Sequence, residues 1–67
     1  MNEILIPELT VKELRSLRKN LSDARVKCYI ILDQGLDSYI AGGYRVVAQA
    51  TDESGIIRYL MVFKEER

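Results

Sequence analysis

The sequence predicts a two-layer α+β fold of order (β)αβββ, one helix packed on a mostly antiparallel, three- to four-stranded sheet. Three observations predict it. Only residues 11–24 repeat their apolar side chains with a helical period. From residue 25 onward the pattern switches to alternation with period two, the signature of strands. A chain of 67 residues has room for one domain and one modest core, residues 1–67, so helix and strands must share it.

Each element follows in order. Ile4-Leu5-Ile6 is a short apolar run stopped by Pro7, which predicts an edge strand or an anchored tail because proline supplies no ladder donor. Thr10-Val11-Lys12-Glu13 is a capping box: the threonine hydroxyl can accept from the amide of Glu13, and the Glu13 carboxylate from that of Thr10. Leu9 before the cap and Leu14 inside it suit a hydrophobic staple. Val11, Leu14, Leu17, Leu21 and Ala24 then share one arc of the helix, while Lys12, Arg15 and Lys19 share another. Polar residues predict an end between Asn20 and Asp23.

Residues 25–33 alternate, with Val26, Cys28, Ile30 and Leu32 on one side and Lys27, Tyr29 and Ile31 on the other. Gln34-Gly35-Leu36-Asp37 predicts a turn. Residues 38–51 read as one long strand, bulged or bent at Gly42-Gly43. Residues 51–55 form a hairpin loop, with Gly55 available for positive φ. Residues 56–63 are β-branched and aromatic, the last strand, and residues 64–67 a solvated end.

The stretch Thr10-Val11-Lys12-Glu13-Leu14, with Leu17, Leu21 and Ser22-Asp23-Ala24-Arg25-Val26, resembles a pattern found in small uncharacterised phage and prophage proteins. In these a T-V-x-E-L helix is followed by a D-A-x-V strand entry and a β-hairpin. The resemblance covers residues 9–32 and implies a phage or prophage origin with no assigned chemistry. The segment Leu9 to Leu14 also resembles the first helix of excisionase-type DNA-binding domains, but a strand pattern stands where their recognition helix would follow.

Composition narrows the function classes. One cysteine, Cys28, excludes an internal disulfide, and the lack of histidine argues against a zinc site. No apolar run approaches the ~20 residues needed to span a bilayer, and Met1-Asn2-Glu3 does not open a signal peptide. A cytoplasmic protein with a reduced thiol is expected, in the bacterial host cell if it is phage-encoded. A small core without disulfide or metal favours a partner subunit.

Catalysis is not expected. No histidine is available for acid–base work near neutral pH, and Gly42-Gly43 lacks the spacing of a phosphate loop. Cys28 alternates with Val26, Ile30 and Leu32 and reads as a small buried apolar residue rather than a nucleophile. Asp33 and Asp37, with Asp52 or Glu53, could hold a hard cation, yet turn aspartates usually bond their own backbone. No cofactor is expected.

Binding is the stronger expectation. Residues 12–27 carry six basic and two acidic side chains, a net +4 that the zero overall charge conceals. Lys12, Arg15, Arg18 and Lys19 form the centre of this basic segment. They predict a face for a host or viral protein or, as an alternative, for nucleic acid, with Tyr29, Tyr39, Tyr44 and Tyr59 as stacking platforms. The last strand is apolar on both sides, and one helix covers only one side of a sheet. Ile56, Arg58, Leu60 and Val62 are therefore the expected second face, meeting a partner or forming a homodimer, with Arg58 at the rim.

Overall fold

The computed structural model describes residues 6–64. Its elements are β1 (Glu8–Leu9), α1 (Val11–Asp23), β2 (Cys28–Leu32), a 3-10 turn (Asp33–Gly35), α2 (Leu36–Ala41), β3 (Tyr44–Thr51) and β4 (Ile57–Phe63). The fold is α+β, two helices on a four-stranded mixed sheet of order β1-β3-β4-β2.

The capping box starts α1 as the sequence predicts. The Glu13 amide donates to Thr10 Oγ1 at 3.1 Å and the Thr10 amide to Glu13 Oε1 at 2.9 Å. The helix ends on two reversed bonds, Arg25 N–H to Ser22 C=O and Val26 N–H to Leu21 C=O, both 2.9 Å. This geometry needs a left-handed residue, normally glycine. Here Arg25 takes it, at φ 66°.

The first strand among the described residues follows Pro7. Glu8 and Leu9 run parallel to Gln49 and Ala50, and Pro7 contributes its carbonyl, which accepts from the Gln49 amide at 3.0 Å. A proline costs a strand only its donor, so this end is compatible with pairing. Ile6 is exposed outside any strand, and Ile4 and Leu5 lie outside the described residues, as do residues 65–67 of the expected solvated end.

The main departure is between residues 36 and 43. The predicted strand of residues 38–51 is strand only from Tyr44; its first four residues belong to helix α2, Leu36–Ala41, which starts inside the predicted turn. Topology explains it. β4 is antiparallel to both β2 and β3, so β2 and β3 run parallel with β4 inserted between them. A parallel return requires a crossover over one sheet face, which a helix supplies and a tight turn cannot. Gly42 and Gly43 then terminate α2. Gly43 has φ +98° and the Phe63 ring 3.3 Å from where a Cβ would stand. The bulge falls further on, between Val46 and Ala48.

The core lies between α1 and one sheet face: Leu14, Cys28, Ala48, Ala50, Leu60 and Val62 are buried, with Leu9, Val11, Leu17 and Leu21 packed around them. Here the expected second face is corrected. Leu60 is fully buried and Val62 nearly so, both beneath α1. Arg58 is half-buried on the same side, and Ile56 is exposed just before β4. Alternation alone could not say which side of β4 meets the helix. Ala48 and Ala50 decide it, being small residues paired with Leu60 and Arg58, which leaves room for Leu14.

Candidate functional site

The face turned away from α1 is aromatic. Tyr29 from β2, Tyr39 from α2 and Tyr44 from β3 form a triangle with ring centroids 5.8, 5.8 and 5.2 Å apart. Tyr44 and Phe63 meet edge-on at 5.2 Å, and Lys27 Nζ stands 5.3 Å from the Phe63 ring centre. Tilted and edge-on contacts set positive ring edges against negative faces, the favourable aromatic arrangement. Burial raises the Tyr44 hydroxyl above its usual range, helped by the neighbouring Tyr29 and Tyr39. Met61 is fully buried in the middle of this face, while Tyr29 is 48% exposed, Ile57 38% and Ile40, on α2, 53%. A six-residue helix covers one corner only.

β2 borders this surface and is an edge of the sheet. The Phe63 amide donates to the Lys27 carbonyl at 2.9 Å, which orients residues 27, 29 and 31 toward β4. By the antiparallel alternation, the backbone groups of Cys28, Ile30 and Leu32 point outward. Among the described residues no strand pairs with them.

The predicted basic residues divide. Lys12 and Arg15 are exposed. Lys19 pairs with Asp23 at 3.3 Å in solvent, a contact worth little. Arg18 is half-buried, and its carbonyl accepts from the Cys28 thiol at 3.5 Å. Together with Arg25 and Lys27 it lines an open depression where the chain enters β2, with no carboxylate in its walls. The Lys12, Arg15 and Lys19 arc sits on the α1 layer and the tyrosines on the other side of the sheet, so the structure does not join the two into one surface.

The candidate cation ligands also separate. Asp52 serves its own loop, accepting from the Ser54 amide at 2.9 Å, the Ile56 amide at 3.0 Å and Arg58 at 3.3 Å. The Ile56 amide leads in holding its carboxyl below the usual range, against some desolvation and with Ser54 and Arg58 assisting. Among the described residues no three His, Cys, Asp or Glu side chains converge as ligands would, and no helix is long and apolar enough to cross a membrane. Cys28 is buried in the core.

Sequence reasoning missed Lys27 and Phe63 as surface partners and α2 as the element that carries Tyr39. The signal was the helical spacing of Leu36, Tyr39 and Ile40, masked by their strand-forming side chains. Compared with protein-family models, curated proteins and solved structures, the chain matches none.

Proposed function

We propose that this chain is a non-enzymatic interaction module that binds a protein partner through its tyrosine face. The observation that carries the reading is the half-open triangle of Tyr29, Tyr39 and Tyr44 on the side of the sheet opposite α1. Tyrosines held by their neighbours offer large amphipathic contact area with little side-chain entropy left to lose, the composition favoured at protein interfaces. The rings also spend their edges and faces on one another, which leaves fewer free platforms for stacked bases. A regulatory role belongs to the same proposal, as does a phage or prophage origin, which rests on the resemblance of residues 9–32.

The alternative, nucleic-acid binding, draws on the carboxylate-free depression of Arg18, Arg25 and Lys27. Salt separates the two. A partner captured by the wild type and lost by Tyr29→Ser, at an unchanged denaturation midpoint, supports the protein-binding reading. Binding to random duplex or single strands that weakens steeply with salt, and is abolished by Arg25→Glu rather than Tyr29→Ser, replaces it with the alternative.

A further inference from the structure

We infer that the chain forms a symmetric dimer in which β2 pairs antiparallel with β2 of a second copy, centred on Ile30. The inference rests on the strand edge; it shares Tyr29 with the tyrosine-face reading, and the variants that test it leave that ring in place. The two edges of the sheet differ. One ends in β1, two residues long, preceded by Pro7 and bearing Glu8, the usual means of blunting an edge. The other is β2, with five residues, no proline and no charge between Cys28 and Leu32. Its outward groups at residues 28, 30 and 32 are spaced so that a two-fold axis at Ile30 brings residue 28 opposite residue 32 of the second copy. Each pair can then exchange both backbone hydrogen bonds.

Charge selects this occupant and this direction. Arg25 and Lys27 flank the start of β2; Asp33 and Asp37 follow its end. None of the four makes a salt bridge among the described residues. A strand with opposite charges at its ends is complementary to its own reverse. In the register centred on Ile30, Lys27 lies across from Asp33 of the second copy, at the two ends of the paired strands. A parallel arrangement would set like charges together.

The apolar groups agree. Tyr29 is 48% and Leu32 39% exposed, and both lie on this edge. The pairing sets Tyr29 beside Ile31 of the second copy on the aromatic face, and Leu32 beside Cys28 of the second copy on the other. The product is one continuous eight-stranded sheet, built from two four-stranded halves. A five-strand-residue contact is at the small end of specific interfaces, so weak, concentration-dependent association is expected.

Light scattering and sedimentation from about 1 μM to about 1 mM test it, a span that covers weak dissociation constants. The mass should rise from 7.7 kDa toward twice that value. Leu32→Pro removes an outward donor at a residue whose φ of −93° lies near proline's range, so the monomer should fold and fail to dimerise. Lys27→Glu and Asp33→Lys should each weaken dimerisation roughly ten-fold by turning two symmetric attractions into repulsions. Mixed one to one, these two variants should form a heterodimer. A mass of 7.7 kDa throughout overturns the inference. So does a dimer that survives Leu32→Pro, or a mixture of the charge variants no more associated than either alone.

Discussion

The two faces of the sheet are built from the same strands and reach opposite outcomes. Toward α1, β3 offers Ala48 and Ala50, β4 offers Leu60 and Val62, and a thirteen-residue helix fills the space with Leu14. The result is aliphatic and sealed. Away from α1 the same strands offer Tyr44, Met61 and Phe63, and the cover is a helix of six residues bringing Tyr39. That face is held by ring-to-ring contacts and left open at Tyr29. A small chain has material for one complete core; its second apolar face is an asset only if something else uses it.

The sharpest way to break this comparison is to cut both faces in the same assay. Leu14→Ala should cost about 2–5 kcal/mol, since it removes the fully buried side chain that α1 sends into the core, and this is enough to unfold much of a small domain. Urea denaturation followed by circular dichroism checks it. Tyr39→Ala should cost less, about 1–2 kcal/mol, and should show chiefly as a loss of near-ultraviolet signal from the tyrosine cluster. Equal losses would make the aromatic face a second core and end the distinction.

Smaller effects sharpen it. Thr10→Ala strips the cap from α1 and should lower stability by about 1 kcal/mol in the same urea titration, leaving the near-ultraviolet signal of the tyrosines intact. The smallest effect is expected for Asp52, in the exposed hairpin between β3 and β4. Its carboxyl titrates lower in the folded chain than in the unfolded one, so its contribution is fully present above the unfolded value. That contribution fades as pH falls through the lower, folded value. Asp52→Asn should therefore lower the thermal midpoint slightly near neutral pH, and its curve should meet that of the wild type in acid. A constant gap at all pH values would show that the carboxylate's charge contributes nothing.

Much of the fold was legible because it was local. The capping box of Thr10 and Glu13, the leucine arc of α1, the loop glycine Gly55 at φ +85° and the alternation of β2 and β4 each involve residues within a few positions of one another. Such signals survive without knowledge of the rest of the chain. The exposure of Lys12, Arg15 and Lys19 was legible for the same reason. What was not legible depended on neighbours distant in sequence. Tyr39 and Ile40 suit a strand by propensity, and they are helical because β4 separates β2 from β3 and forces a crossover.

The sequence by itself determined an α+β chain with one capped amphipathic helix, strands apolar on both sides, and charges gathered by segment. Only the tertiary structure decided which side of β4 became the core, because Ile57, Tyr59, Met61 and Phe63 alternate as well as Leu60 and Val62 do. Period two records that a strand has two faces, and says nothing of which one a helix will choose. That choice was made by Ala48 and Ala50, whose small side chains let Leu14 approach. The tyrosines were thereby left on the other side, beside the open edge of β2.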